Sequence, residues 1–136
     1  MMDADATYLF TYGTLMQGFD NPFAERLHNH STYEGKGYFP GLLYLISWYP
    51  GAVFDVNSSS KVHGEIYKLS DFEALIEELD AYEDVFEDEK ASLYRRKTIC
   101  VTNENDETVE CWVYLYNQPV TDLTLIPDGR FKWLSV

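Results

Sequence analysis

Apolar residues recur along the chain at two spacings, and each spacing predicts a different kind of element. Short runs rich in aromatic and β-branched residues, separated by Gly, Pro, Asn and Ser, are typical of β-strands. Their number predicts a curved, largely antiparallel sheet. The predicted strands are Thr7–Thr11, Tyr33–Phe39, Leu42–Ser47, Ala52–Val56, Val62–Leu69, Tyr94–Asn103 and Thr108–Tyr116.

Two segments carry the signals of helices instead. Asn21 followed by Pro22 gives an N-cap residue and a proline at the first helical position, which predicts a short helix to about His28. The second helix is predicted from Ser70, which begins a capping-box pattern, to about Tyr82. Its apolar residues at helical spacing are Phe72, Leu75, Ile76 and Leu79.

The segments that follow the second helix include a loop, a hairpin and a tail. Asp84–Ser92 is predicted to be a solvated acidic loop, and the tail Gln118–Val136 is predicted to wrap the sheet. The last two strands form a predicted hairpin with its turn centred on Asn105-Asp106. A two-residue turn there places Cys100 opposite Cys111. We expect both thiols to be reduced and unreactive, although this register would allow their oxidation in air.

Length, charge and cysteine content restrict the class of protein. A chain of 136 residues fits one domain, residues 1–136. The formal net charge of −13 repels nucleic acids and anionic lipids, so neither is an expected partner. The longest apolar stretch, Tyr38–Tyr49, is interrupted by Pro40 and is shorter than the roughly 20 residues that a bilayer requires. With two cysteines and no signal-peptide pattern, we expect a cytoplasmic protein.

Glu83 is the most informative candidate for chemistry. It follows Phe72, Ile76 and Leu79 at helical steps of four, three and four, so it continues the apolar stripe. Burial, the helix C-terminus and nearby acidic residues would all raise the pKa of a carboxyl there, as a general base requires. If the helix ends earlier, Glu83 lies in an exposed acidic turn instead. The pattern alone leaves both interpretations open.

The segment Tyr12-Gly13-Thr14-Leu15, directly after the first predicted strand, is a second candidate. A glycine there lets successive backbone N–H groups point together as a nest for a small carboxylate. An ordinary turn after a strand gives the same pattern. Tyr49-Pro50-Gly51-Ala52 predicts another turn, with a structural role only.

Other chemistries lack support in the sequence. His28, His30 and His63 have no cysteine or acidic partner at zinc-site spacing, and Asp80–Glu89 lacks the order of a calcium loop. Motifs for a nucleophilic serine, a phosphate loop or a dinucleotide are also missing. Serine, phosphoryl-transfer and hydride chemistry therefore lack support, and no metal site is predicted.

Several short segments occur in a fixed order between Tyr8 and about Tyr116. They are Tyr8-Leu9-Phe10-Thr11-Tyr12-Gly13-Thr14-Leu15, Tyr49-Pro50-Gly51-Ala52-Val53, Val62-His63-Gly64-Glu65-Ile66-Tyr67, Leu79-Asp80-Ala81-Tyr82-Glu83, Tyr94-Arg95-Arg96 and Trp112-Val113-Tyr114. In this order the segments resemble the γ-glutamylcyclotransferase-like family, including its γ-glutamylamine cyclotransferase and AIG2-like members. The chain departs from the family in a long Asp84–Leu93 connection and in Gly129-Arg130-Phe131, where the family has Gly-x-Trp.

The resemblance implies a fold, a reaction and a set of site residues. The fold is α+β, a small, mostly antiparallel β-barrel-like sheet with a few flanking helices. The implied reaction releases 5-oxoproline and an amine from a small γ-glutamyl compound by intramolecular aminolysis, without a cofactor. A non-catalytic metabolite-binding module and a biosynthetic enzyme that removes a γ-glutamyl protecting group remain alternatives. The implied catalytic residue is Glu83, and the implied substrate-binding residues are Tyr12, Gly13, Thr14, Leu15 and Tyr94.

Overall fold

The computed structural model describes residues 7–13, 15–16, 21–46, 49–70, 72–82 and 92–131. Within these ranges the chain forms two helices and seven strands. In chain order they are β1 (Thr7–Thr11), α1 (Pro22–Asn29), β2 (Ser31–Leu45), β3 (Pro50–Phe54), β4 (Lys61–Leu69), α2 (Phe72–Tyr82), β5 (Tyr94–Asn103), β6 (Thr108–Tyr116) and β7 (Thr124–Leu125). No helix in the described part of the chain has the length and apolar character needed to cross a membrane.

Five of the strands close into a barrel. The sheet order is β3-β2-β4-β1-β6-β5, and β2 also pairs with β5 through Gly37↔Asn103 and Tyr38↔Thr102. The strand pairings are antiparallel apart from β1 with β6, which run parallel. The expected α+β class, with a mostly antiparallel, barrel-like sheet and flanking helices, is confirmed.

Strand β2 is longer than the sequence predicted. Pro40-Gly41 was expected to separate two strands, but β2 continues through it and changes partner there, from β4 to β3. Proline lacks an N–H to donate, so it fits a position where one ladder ends and another begins. A Cβ at Gly41 would lie 2.2 Å from the carbonyl oxygen of Val53, so this close pairing requires glycine.

The predicted turn at Tyr49-Pro50-Gly51-Ala52 is wrong. Pro50 is the first residue of β3, a strand at the end of the sheet order, where a proline costs no interior ladder bond. The chain reverses earlier, where the N–H of Ile46 donates to the carbonyl of Tyr49 at 3.0 Å. Residues 50 and 51 therefore have extended backbone.

The β5–β6 hairpin has a three-residue loop, and this changes its register. The N–H of Asn103 donates to the carbonyl of Glu107 at 2.8 Å, and Asp106 adopts a left-handed φ of 62°. Cys111 therefore pairs with Ile99, and Cys100 is one residue out of register with it. Because alternate residues face opposite sides of a strand, Cys111 is buried and Cys100 is exposed. The prediction that the two cysteines face each other was wrong.

The buried side chains form two layers that share the barrel wall. Phe10 belongs to a cluster built from alternating residues of the barrel strands, and its neighbour Leu9 belongs to a cluster that includes both helices. Ile126 and Phe131 of the tail pack against the first cluster, as predicted for the part of the tail that the structure describes, and residues 132–136, which include Trp133, lie outside the described residues. The predicted acidic loop, apart from Ser92, lies outside the described residues.

Candidate functional site

Tyr12, the residue after β1, connects the candidate loop to two strands. Its side chain is 6% exposed. Its hydroxyl donates to the carbonyl of Tyr114 in β6 at 2.5 Å and accepts from the N–H of Ala52 in β3 at 3.1 Å. A buried hydroxyl with both partners supplied by the main chain fixes local geometry. Tyr12 therefore holds the start of the loop in place.

Gly13 packs directly on Pro50. A Cβ at Gly13 would lie 2.9 Å from Cγ and 3.1 Å from Cδ of Pro50, and the φ of Gly13 is not left-handed. Glycine therefore allows close contact at this position rather than an unusual backbone angle. The N–H of Met16 donates back to the carbonyl of Gly13 at 3.1 Å, and Leu15 is buried in the layer between the helices and the barrel. Thr14 lies outside the described residues.

Tyr94, the first residue of β5, contacts the same proline. Its hydroxyl donates to the carbonyl of Pro50 at 2.6 Å, and its ring meets the ring of Tyr116 edge to face at 5.7 Å. A Cβ at Gly51 would lie 2.9 Å from Cβ of Tyr116, so β3 also packs closely here. Since a phenol has one proton to donate, Tyr94 in this arrangement positions Pro50.

An ion pair holds the last turns of α2 against the barrel. Arg96 of β5 donates to both carboxylate oxygens of Asp80, from Nε at 2.8 Å and from Nη2 at 3.0 Å. The hydroxyl of Tyr114 donates to the same carboxylate at 2.6 Å. The Arg96 guanidinium also lies over the rings of Trp112 and Phe72, at 4.8 and 5.7 Å. The hydrogen bonds to Asp80 are the largest of the effects that raise the pKa of Arg96.

The apolar stripe that leads to Glu83 is buried as the helical spacing predicted. Ile76 and Leu79 are 8% and 0% exposed in the cluster between α2 and the barrel. Asp80, three positions before Glu83, carries the ion pair described above. Glu83 follows the last residue of α2 and lies outside the described residues. Its role stays a prediction.

The structure thus brings three of the predicted segments together. The residues after β1, the start of β3 and the start of β5 meet around Pro50, through Gly13 and Tyr94. Sequence reasoning missed Tyr114, whose carbonyl and hydroxyl bind Tyr12 and Asp80 respectively. Its place in the Trp112-Val113-Tyr114 segment was the available signal, but the partners are distant along the chain.

A separate groove of about 460 Å³ has Met16, the residue after the candidate loop, in its lining. Its lining includes Met16, Tyr38, His63, Glu65 and Arg130, but not Tyr12, Gly13, Leu15 or Tyr94. Partial burial, and then the charges of Arg130 and Lys61, lower the pKa of His63. The predicted site residues within the described part of the chain therefore do not line this groove.

The sequence matches the family described as gamma-glutamyl cyclotransferase, AIG2-like, over residues 9–133. The chain belongs to this family. The match includes the loop after β1, the start of β3, the end of α2 and the start of β5. It therefore confirms the resemblance seen in the ordered segments.

A curated relative agrees with this assignment to the γ-glutamyl cyclotransferase family, and solved structures share the fold. The "Gamma-glutamylcyclotransferase family protein ytfP" of Citrobacter rodentium is 35% identical over 93 residues, which are 68% of this chain and 67% of the relative. An AIG2-like protein from Mus musculus shares the fold with a TM-score of 0.73 and 24% identity, over 93% of this chain and 88% of that one. YkqA from Bacillus subtilis gives a TM-score of 0.69 and 24% identity, over 93% of this chain but only 39% of YkqA.

Proposed function

We propose that this γ-glutamyl cyclotransferase family member converts a γ-glutamyl amine, or a related γ-glutamyl compound, to 5-oxoproline and a free amine. The observation that carries the proposal is that Gly13 and Tyr94 both contact Pro50. These contacts lie on the barrel wall to which the Asp80 ion pair attaches α2. These are the segments that resemble the family's substrate loop and the approach to its catalytic glutamate. Family membership supports cyclotransferase chemistry as the first reaction to test.

The reaction is an intramolecular aminolysis. The α-ammonium of the glutamyl group loses a proton, and the resulting amine attacks the γ-carbonyl carbon of the same molecule. A C–N bond forms in the five-membered ring, the nitrogen loses a second proton, and the C–N bond to the leaving group breaks. The leaving nitrogen gains both protons and departs as an ammonium ion. Charge and atoms balance, so the reaction consumes no oxidant, reductant or co-reactant.

The protein then has three tasks: it folds the substrate into its reactive conformation, it transfers protons, and it stabilises the oxyanion. Ring closure within one molecule makes positioning a large part of catalysis. We assign the proton transfers to Glu83 as general base and then general acid. We assign the substrate α-carboxylate to the backbone amides of Gly13–Leu15, which also suit an anion. Tyr12 and Tyr94 support this binding loop through their bonds to the main chain.

A direct product assay tests the proposal. The protein is incubated with a panel of γ-glutamyl amines and γ-glutamyl peptides, and 5-oxoproline is quantified by mass spectrometry against a boiled-enzyme control. We expect 5-oxoproline and the free amine in equal amounts. Binding of panel members without any 5-oxoproline would favour the metabolite-binding module instead. Release of free glutamate in place of 5-oxoproline would indicate hydrolysis and would also contradict the proposal.

A further inference from the structure

His28 in α1 contacts the backbone of the candidate substrate loop. Its Nε2 lies 2.8 Å from the carbonyl oxygen of Leu15, the last residue of the Tyr-Gly-Thr-Leu segment. A carbonyl oxygen can only accept a hydrogen bond, so Nε2 must carry a hydrogen. The contact therefore sets the tautomer of His28 and ties α1 to the loop.

A second contact fixes the orientation of the imidazole ring. The ring stacks on Tyr67 of β4 with centroids 5.2 Å apart and planes 18° apart. The Tyr67 hydroxyl donates to Oε1 of Glu65 at 2.8 Å, and its oxygen lies 3.2 Å from Nε2 of His28. Nε2 gives its single hydrogen to the Leu15 carbonyl, and Tyr67 gives its proton to Glu65, so the Tyr67 oxygen at 3.2 Å can share the Nε2 hydrogen only as the weaker acceptor of a three-centre hydrogen bond. A half-buried His28 is thus held by a strand of the barrel while it holds the loop.

The contact with Leu15 acts on the orientation of the loop's peptide groups. The carbonyl of Leu15 and the N–H of Met16 belong to one planar peptide group and point in opposite directions. His28 binds that carbonyl, and the carbonyl of Gly13 accepts from that N–H at 3.1 Å. Rotation of this peptide group would break both bonds. The geometry therefore makes His28 the side chain that sets the plane of the peptide after Leu15.

We propose that His28 is a positioning residue, which holds Leu15 and the peptide group after it in the orientation that lets the candidate loop bind the γ-glutamyl head group. The proposal rests on the proposed function for the identity of the bound group, but not for the contact itself. His28 acts through the loop backbone and does not touch the reacting atoms. Its loss should therefore weaken substrate binding far more than it slows the chemical step.

Three variants test this role. His28→Leu removes the donor and keeps a side chain of similar bulk. His28→Gln restores an N–H close to the place of Nε2. His30→Leu is the matched control, because His30 is an exposed histidine at the end of the same helix. The readouts are KM and kcat for a γ-glutamyl amine, amide hydrogen exchange at Met16, and the midpoint of thermal unfolding.

We expect His28→Leu to raise KM about five- to tenfold, the size of one net hydrogen bond, with kcat within about twofold of wild type. Exchange at Met16 should accelerate by a similar factor. His28→Gln and His30→Leu should both stay close to wild type. A merely structural role would lower the unfolding midpoint and leave KM and Met16 exchange unchanged, and that result would overturn the proposal. A fall in kcat with KM unchanged, or a Gln variant as defective as the Leu variant, would overturn it as well.

The exchange measurement separates this proposal from the proposed function. If the wild-type protein forms no 5-oxoproline from any panel member, the cyclotransferase assignment fails. Acceleration of Met16 exchange in His28→Leu alone would still support the positioning of the loop by His28. Unchanged exchange together with unchanged KM in an active enzyme would reject His28 while the proposed function stands.

Discussion

At the scale of single residues, the proposed chemistry depends on one carboxyl group. Glu83 follows a helix whose apolar stripe is buried, and it stands three positions after an aspartate that is paired with Arg96. The stripe could be predicted from spacing alone, since Ile76 and Leu79 repeat at helical intervals. The pairing of Asp80 could not, because its partner comes 16 positions later in a different element.

Glu83→Gln should reduce kcat by about two or more orders of magnitude, because a lost acid–base group typically costs that much. The amide keeps the size of the side chain, so the fold should be preserved. Steady-state kinetics on a γ-glutamyl amine measures the effect. The control is Glu77→Gln, which removes an exposed carboxyl from the same helix and should leave kcat unchanged. Turnover near the wild-type rate by a folded Glu83→Gln variant would remove Glu83 from the mechanism.

The two cysteines illustrate what residue-level reasoning lacked. Both strands of their hairpin were predicted with their correct bounds, but the loop has three residues rather than two. Since side chains alternate along a strand, a shift of one residue moved Cys111 to the face opposite Cys100. A left-handed residue such as Asp106 occurs in two-residue and in three-residue hairpin loops. Asn105-Asp106 alone therefore did not determine the register of the hairpin.

Because Cys100 is exposed, the native protein should have one accessible thiol, in contrast to the expectation from the sequence that both thiols are unreactive. Burial, the largest effect, raises the pKa of Cys111 to about 12, so this thiol stays protonated and protected. A chromogenic thiol reagent should titrate Cys100 in the folded protein and Cys111 only after unfolding. Cys100→Ser should consequently show no reactive thiol in its native state. Two thiols that react at equal rates, or an intramolecular disulfide after air oxidation, would contradict the register.

The same thiol contributes to the pH dependence of stability. In the unfolded chain Cys111 ionises near the ordinary value of 9.0, whereas in the folded protein it does so only near 12. The unfolded state therefore loses a proton first, and the free energy of unfolding should fall as the pH rises through this interval. Cys111→Ala lacks this contribution. Urea unfolding at pH 8 and pH 10 should show a smaller decrease for the variant than for wild type, and equal decreases would argue against a neutral buried thiol.

At the scale of elements, α2 is attached to the barrel by a polar cluster inside an otherwise apolar contact. The Asp80 carboxylate accepts from Arg96 and Tyr114, and both partners belong to neighbouring barrel strands. The side chains of Arg96 and Asp80 are only 23% and 22% exposed, so this pair is shielded from water more than a typical surface ion pair. The ion pair therefore fixes both the position of the end of α2 along β5 and β6 and its distance from these strands.

Arg96→Met should destabilise the protein by about 2 kcal/mol, because it leaves a half-buried carboxylate with fewer donors. It should also lower kcat, since the end of α2 precedes Glu83. Urea unfolding and steady-state kinetics measure the two effects. Arg26→Met is the matched control: it removes an exposed pair with Glu78, whose side chains are 44% and 43% exposed, and should cost under about 0.5 kcal/mol. Equal destabilisation by the two variants would show that burial of the Asp80 pair has no importance.

Most elements were predictable from hydrophobic spacing, and the errors fall where tertiary pairing decides. Pro40-Gly41 and Pro50-Gly51 are sequence signals for a turn, yet both dipeptides have extended backbone in β2 and β3. In the first case the strand changes partner, and in the second the proline begins an edge strand. Neither situation is visible without knowing which strands are neighbours. The barrel closure between β2 and β5 was likewise implied only by the family resemblance.

At the scale of the whole molecule, charge bears on substrate choice. The formal net charge is −13, so the protein's field opposes the approach of anions. A carboxylate on the glutamyl head can be offset locally by backbone amides. A second carboxylate on the leaving group would add to the repulsion between the substrate and the acidic protein. We therefore expect a neutral or cationic leaving amine to be favoured.

The expected order is a higher kcat/KM for a γ-glutamyl-ε-lysine compound than for glutathione, whose terminal glycine adds a carboxylate. The comparison is made at moderate salt and repeated at high salt. Because salt screens long-range charge interactions, the preference should decrease as salt rises if the overall field causes it. A clear preference for glutathione would overturn this expectation, and a preference that does not respond to salt would assign it to local contacts.

The tail contact at Gly129 has a consequence for solubility. Pairing of β1 with β4 ends at Thr11↔Glu65. Two residues nearer the start of β4, the N–H of His63 donates to the carbonyl of Gly129 at 2.8 Å. A Cβ at Gly129 would lie 1.7 Å from the carbonyl oxygen of Lys61, so the backbone of the tail lies directly against the backbone of β4. The tail thus takes the place of β1 beside this part of β4. A strand left with unpaired backbone is a template for intermolecular β-pairing. We therefore expect the tail at Gly129 to shield this part of β4 from pairing with a second molecule.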